Sequence, residues 1–343
     1  MTGSLPADFR PPTPSRRLAV RSADDTRLAV EIHGEPPDGD PERPTVVLAH
    51  GWTCSASFWV RVVHRLRTDL RVVVYDQRGH GRSQAVCAGG FTPDALADDL
   101  AAVLTATVPA GRPAVVAGHS MGAMSLVALA GRHPDVLRER VAGALLASTG
   151  VAELVGRVAV LPTGPRRTRR PASARSLRTR ERLIRLGMTD PRPLHALPRS
   201  LARALLADLT MSPTATRAER EYAADVVLAC PPPTYTGFAE MLTKLDLRQE
   251  LGSFDVPALV LVGTRDRLTP PWHARRMVAA LPRPLGLVEL YGHGHMTPVT
   301  APVSVSDAVR RLVPLGHPIR DDRAVLDDVD RHGLARIGGP SAT

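Results

Sequence analysis

No asparagine occurs in the 343 residues, and Lys244 is the only lysine among 44 basic side chains. These two absences decide how the formal net charge of +10 is read. A basic balance points first to nucleic acid. Here it is almost entirely arginine, beside abundant Ala, Val, Pro and Gly, the mark of a G+C-rich coding sequence. The charge is weak evidence of a binding footprint, and no nucleic-acid partner is expected.

Cysteine is nearly as scarce. Cys54, Cys87 and Cys230 are odd in number, scattered and without CxxC spacing, which excludes a disulfide scaffold and leaves no zinc ligand set. No metal is expected. No run approaches the roughly 20 apolar residues that a membrane span needs. The opening MTGSLPADFRPPTPSRR has no apolar stretch of signal-peptide length and reads as a disordered Pro-rich tail over 1–16. The expectation is a soluble, cytoplasmic chain.

What is present can fill a core, since 43% of the residues are hydrophobic. RRLAVRSADDTRLAVEIHG holds two alternating segments around Asp24–Asp25 and reads as a hairpin. Short continuous apolar runs follow in PTVVLAHG, LRVVVYD, PAVVAGHS, VAGALLAST, PALVLVGTRD and GLVELYGHGH. Runs of that kind are strands buried on both faces. Helical stretches lie between most of them. In FTPDALADDLAAVLTA, Thr92 suits the N-cap, Pro93 the first turn, and Leu96, Leu100, Val103 and Leu104 share a face. The alternation implies an α/β fold with a mostly parallel sheet covered on both sides. It breaks over 151–250, a helical insertion between core segments 17–150 and 251–317, and 318–343 reads as a C-terminal tail.

VVAGHSMGA places Gly118-x-Ser120-x-Gly122 after a strand and before a helix. In that context the pattern is a nucleophile elbow, a strained turn that lifts the serine Oγ off the sheet. A serine hydroxyl needs a base, and the base an orienting acid. In this topology both should follow in the order acid, then histidine, each just past a strand. LVGTRD supplies Asp266, and LYGHGHM supplies two histidines, His293 and His295. An oxyanion hole is also required. The Met121 amide follows the nucleophile, and the His50–Gly51 turn after an earlier strand offers the Trp52 amide.

With AHGW, YDQRGHGRS, GHSMG, LVGTRD and GHGHM in order over most of Arg17–Val313, the sequence resembles α/β-hydrolase-fold serine hydrolases. The resemblance implies an eight-stranded, mostly parallel sheet and a helical cap inserted after the sixth strand. It implies His295 as base, because the family's histidine follows Gly and precedes an apolar residue. His293 then becomes a turn or pocket-rim residue that could touch substrate. It implies that the loop carrying Asp76 and Arg78 braces the site, and that Met211, Tyr235 and Phe238 of the cap contact substrate. Ser120 rules against the chemistries that use Asp in the elbow.

The expected activity is cofactor-independent cleavage of a small-molecule ester, lactone or related acyl bond through an acyl-enzyme. Perhydrolysis of the cofactor-free haloperoxidase kind and carbon–carbon bond hydrolysis would use the same triad. A non-catalytic ligand-binding protein on this fold is the rival of another class. The run from Arg166 to Arg185 carries nine arginines against Glu181. It reads as a solvated cap surface, or as a field that attracts anionic substrates.

Overall fold

The computed structural model describes residues 6–35, 43–87, 89–154 and 197–316. Its centre is one eight-stranded sheet: β1 (Arg16–Arg21), β2 (Arg27–His33), β3 (Thr45–Ala49), β4 (Arg71–Tyr75), β5 (Ala114–His119), β6 (Val141–Ala147), β7 (Ala258–Gly263) and β8 (Pro284–Leu290). The spatial order is β1-β2-β4-β3-β5-β6-β7-β8. β2 is antiparallel to both β1 and β4, while the pairs from β4 through β8 are parallel. The expected hairpin and six apolar runs account for all eight strands.

Side chains alternate across a strand, so a run that is apolar throughout must have cover on both faces. In β3, Val47 and Ala49 join one core with Val73, Val116 and Val260, whereas Val46 and Leu48 join another with Val72, Val115 and Leu259. Helices α2 (Pro93–Thr107) and α3 (Met121–Arg132) cover the first face through residues such as Leu100 and Leu126. Helix α1 (Val60–Leu66) and the late helix Pro302–Leu312 cover the second through Leu66 and Val309. Each fully buried leucine contributes about 1.5–3 kcal/mol. Thr92 caps α2 as its sequence suggests, its hydroxyl accepting the Ala95 amide at 3.1 Å.

From β3 the chain turns to β4 on one side, and β5 then adds on the other. The segments that leave the C-terminal ends of β3 and β5 therefore diverge, the place where open α/β sheets form a crevice. His50–Thr53 and Ser120 are the residues at those two ends.

After α4 (Pro134–Arg140) and β6, the described chain resumes with α5 (Arg199–Thr210), α6 (Arg217–Leu228), α7 (Pro232–Lys244) and α8 (Arg248–Gly252). The two ends of the 151–250 segment meet, with the Leu247 amide 2.7 Å from the Val151 carbonyl and a bridge between Ala152 and Asp246. The short helix α9 (Pro271–Ala280) follows β7, and α10 (Thr297–Thr300) and α11 (Pro302–Leu312) follow β8. The arginine run 166–185 and the tail from 318 lie outside the described residues.

One expectation needs correcting. The Pro-rich opening is anchored from Pro6 onward. Ala7–Phe9 forms a 3₁₀ turn, and Phe9 is buried against Tyr222 with ring centroids 5.0 Å apart. The Arg61 guanidinium lies over Phe9 and pairs with Asp8 at 2.7 Å and Glu219 at 2.8 Å. A lone phenylalanine in a polar stretch was the available signal.

Candidate active site

Ser120 sits at the corner between β5 and α3 with φ 52° and ψ −117°. A non-glycine residue held there stores about 1–3 kcal/mol of strain, which the surroundings must over-determine. They do so. The Ser120 amide donates to the Ala147 carbonyl at 2.9 Å, and its carbonyl accepts from the amides of Ala123 and Met124 and from the Thr149 hydroxyl, at 2.9–3.1 Å. The flanking glycines are required by close approach. A Cβ on Gly118 would lie 2.5 Å from the Ala123 nitrogen, and one on Gly122 would lie 2.2 Å from the Ala49 carbonyl oxygen.

Asp266 follows β7 and His295 follows β8, as their positions in the sequence implied. His295 Nδ1 lies 2.8 Å from Asp266 Oδ2, with both side chains buried. The carboxylate is held by three further donors: the Leu268 and Thr269 amides on Oδ1, each at 2.9 Å, and the Thr269 hydroxyl on Oδ2 at 3.0 Å. A carboxylate only accepts, so Nδ1 carries the proton and Nε2 keeps the lone pair a base needs. The His295 amide donates to the Thr210 carbonyl at the end of α5, at 2.7 Å. Among the described residues no hydrogen bond joins Ser120 Oγ to His295 Nε2. Such bonds are commonly long before substrate arrives.

The loop after β3 is stitched to the loop after β4. His50 Nδ1 donates to the Gly51 carbonyl at 2.8 Å, and its Nε2 accepts the Gln77 amide at 3.0 Å. His80 Nε2 accepts the Thr53 amide at 3.2 Å, and Asp76 accepts the amides of Ala56 and Arg82. Arg78 is buried, paired with Asp99 at 2.7 Å and Asp24 at 2.8 Å. Asp76, Gln77 and His80 therefore brace the loop that carries Trp52, while Arg78 ties their own loop to Asp99 of α2 and to Asp24 in the β1–β2 turn. The Trp52 indole donates to the Tyr235 carbonyl at 3.1 Å and packs on the Tyr235 ring. Among the described residues neither the Trp52 nor the Met121 amide has a hydrogen-bond partner. Met121 also opens α3, whose dipole favours negative charge there.

Burial lowers the pKa of His50 to about 4, and burial together with the neighbouring His50 lowers that of His80 to about 3. In the unfolded chain both groups titrate near about 6.5. Folded values below unfolded ones mean that this stability is complete above about pH 6.5 and is lost as pH falls toward 4. Each histidine removes up to about 1.4 kcal/mol per pH unit in that window. The urea midpoint should hold above about pH 7 and fall steeply between about pH 6 and pH 4.5. A midpoint flat across that window would contradict the buried neutral pair.

The remaining sequence candidates divide. His293 is half-buried, with Nδ1 3.1 Å from the Thr300 hydroxyl and its carbonyl accepting the Arg265 amide. Burial lowers its pKa. It holds the turn and does not touch Asp266. Met211 is buried beside Gly294, and it borders a cleft of about 890 Å³ between α5, the start of α6 and the Asp266 loop. Tyr235 is part-buried against Trp52. Phe238 was expected to contact substrate but is fully buried, between His80 at 5.4 Å and Phe91 at 5.0 Å. It is a core residue.

Sequence reasoning passed over Thr269, Thr210, Thr149 and His119. Thr269 had a readable signal, a hydroxyl three residues after an Asp at a turn. Thr210 acts through its main chain, which no side-chain pattern reveals. The described residues contain no group of three or more His, Cys, Asp or Glu placed to hold a metal ion, and no helix long and apolar enough to cross a membrane.

Comparison with known proteins agrees with this architecture. The model of the Alpha/beta hydrolase family matches residues 46–308. A putative carbamate hydrolase, RutD, of Caulobacter sp. (strain K31) is 28% identical over 81% of this chain and 92% of its own length. A pimeloyl-[acyl-carrier protein] methyl ester esterase of Chromobacterium violaceum is 28% identical over 74% of this chain and 86% of its own. Among solved structures, a thermophilic esterase from Thermogutta terrifontis superposes with a TM-score of 0.65 at 24% identity, over 88% of this chain and all of that one.

Proposed function

Because the chain belongs to the alpha/beta hydrolase family, we propose that it is a serine hydrolase that cleaves a carboxylic ester, lactone or related acyl bond. The observation that carries this reading is the conjunction of a strained Ser120 at the strand-to-helix corner with the buried His295–Asp266 pair at 2.8 Å. The names of the two relatives, a carbamate hydrolase and a methyl ester esterase, both belong to enzymes that break a bond between an acyl carbon and a heteroatom.

In the reaction, Ser120 Oγ attacks the acyl carbon as its proton passes to His295 Nε2. Asp266 stabilises the imidazolium through the Nδ1–H bond and keeps the ring's tautomer. The carbonyl oxygen becomes an oxyanion and accepts from the Trp52 and Met121 amides; each such donor is worth about 10²–10³ in rate. The tetrahedral intermediate collapses, the acyl–oxygen bond breaks, and the leaving alkoxide takes the proton from Nε2. Water, deprotonated by the same nitrogen, then attacks the acyl-enzyme, and Ser120 leaves with its proton restored.

The segment 151–250 serves as the cap over this site in the same reading. Its support is the set of contacts that α5 and α7 make with the machinery. Thr210 takes the His295 amide, Tyr235 takes the Trp52 indole, and the Thr234 hydroxyl donates to the Gly79 carbonyl at 2.9 Å. Tyr235 and Met211 are its candidates for substrate contact.

The test is intact-mass analysis after a fluorophosphonate probe, with hydrolysis of p-nitrophenyl acetate and butyrate alongside. The expected result is one covalent adduct, mapped to the peptide that contains Ser120, together with turnover of at least one ester. A chain that takes up no phosphonate and turns over neither ester overturns the reading. Labelling without turnover would point to a binding protein that kept the fold.

A further inference from the structure

One buried imidazole stands between the two halves of this site and has no part in the mechanism above. His119 closes β5 one residue before Ser120 and is 1% exposed. Its ring meets that of His295 edge to face with centroids 4.9 Å apart, and that of Phe58 at 4.7 Å. Its Nε2 lies 2.9 Å from the main-chain oxygen of His295. A carbonyl oxygen can only accept, so Nε2 carries the proton and Nδ1 holds a lone pair. That Nδ1 is buried without a hydrogen-bond partner. It faces the oxyanion loop, since a Cβ placed on Gly51 would stand 2.9 Å from it. Burial, with His295 beside it, pushes the His119 pKa well below the ordinary histidine value. The ring is thus a neutral donor.

Leaving a polar nitrogen buried and unpaired costs about 1–3 kcal/mol. A phenyl ring would fill the same slot beside Phe58 without that cost. What imidazole supplies and phenyl does not is the Nε2–H on the His295 carbonyl. His295 needs such an anchor because it lies in the turn after β8, outside the sheet ladder. Its amide is tied to Thr210, its ring to Asp266, and its carbonyl accepts the Thr297 amide at 2.9 Å within the turn; His119 adds the one tie from that carbonyl to β5, the strand that leads into Ser120.

We propose that His119 is a positioning residue of the reaction. Its Nε2–H clamps the His295 main chain, and its ring spaces the base from the Gly51–Trp52 oxyanion loop, so that one side chain sets the base, the nucleophile and the oxyanion donors in register. This rests on the serine-hydrolase reading above. A displacement of about 1 Å between reacting groups can cost about 10²-fold in rate, which is why a clamp remote from the substrate has a kinetic effect.

The experiment compares His119→Phe, which keeps the ring packing and loses the donor, with His119→Gln, whose terminal amide can offer an N–H to the same carbonyl. Each is followed by kcat and KM for p-nitrophenyl butyrate, by the downfield proton resonance of His295 Nδ1–H, and by its unfolding midpoint. The Phe variant should lose about tenfold in kcat, the loss of one good hydrogen bond, at unchanged KM and with a shifted or broadened resonance. The Gln variant should recover most of the kcat and the wild-type resonance. His119→Leu replaces the Phe variant if that one does not fold. Wild-type kcat and resonance without the donor would overturn the proposal, as would a Gln variant impaired as deeply as Phe. If the wild type neither labels nor turns over esters, the serine-hydrolase reading fails by itself, and the resonance series alone decides whether His119 clamps His295.

Discussion

His295→Ala is expected to lower kcat for p-nitrophenyl butyrate by about 10⁴-fold or more, while His293→Ala leaves it near the wild-type value. The two histidines are separated by Gly294 alone, yet their surroundings differ in kind. His295 has Nδ1 committed to Asp266 at 2.8 Å and a main chain held at both its amide and its carbonyl. Its Nε2 is therefore left with the lone pair, on a ring packed against His119 of β5, the strand that leads into Ser120. His293 Nδ1 faces the Thr300 hydroxyl in α10, and among the described residues no carboxylate is hydrogen-bonded to its ring. Losing that bond should cost about 1 kcal/mol of stability with no change in mechanism. The measurement is steady-state hydrolysis by both variants, with the rate of phosphonate labelling as a second readout. Equal losses in the two variants, or a larger loss at His293, would move the base two residues back and break the assigned triad.

The difference between these neighbours shows which parts of the site can be read in sequence. Strand ends are legible, because a buried strand is a continuous apolar run and its end is the first polar or glycine residue. LVGTRD, AGHS and ELYGHGH each mark the C-terminal end of a parallel strand, and their residues gather at one edge of the sheet because parallel strands all end on the same side. Ser120, Asp266 and the His293–His295 pair follow from that, together with the order of the strands, while the choice of His295 over His293 comes from the resemblance to the family. The glycines follow too: Gly118 and Gly122 stand where helix α3 and strand β3 pass too close for a side chain.

What the sequence hides is of two sorts. Apolar residues in the inserted helices all look alike, and only packing separates a pocket wall from a core residue. Phe238 and Tyr235 lie three apart on α7, yet one is sealed between His80 and Phe91 while the other lies on Trp52. Main-chain partners are the other sort. Thr210 holds His295 through a carbonyl that any residue type would supply. The Pro-rich opening misled for a related reason. One phenylalanine, seated on Tyr222 and roofed by Arg61, is enough to anchor a segment whose composition reads as loose.

Asp266→Asn should lower kcat by about 10⁴-fold while leaving KM and the fold nearly unchanged. The carboxylate has two distinct sides. Oδ1 accepts two main-chain amides, from Leu268 and Thr269, and Oδ2 accepts the Thr269 hydroxyl and His295 Nδ1–H. A carboxamide has only one oxygen. Turned to keep both main-chain amides satisfied, it presents its NH₂ to His295. The NH₂ donates, so the imidazole must place its lone pair on Nδ1 and its proton on Nε2. In that tautomer Nε2 has no lone pair with which to accept the Ser120 proton. The Thr269 hydroxyl can rotate to accept from the amide, so the loop keeps its hydrogen bonds and the loss is chemical. Labelling by fluorophosphonate should slow in proportion to kcat, with an unfolding midpoint close to wild type. A variant that retains more than about a tenth of wild-type kcat would mean that Asp266 does not set the tautomer, and that the Thr269 hydroxyl, 3.3 Å from His295 Nδ1, orients the base instead.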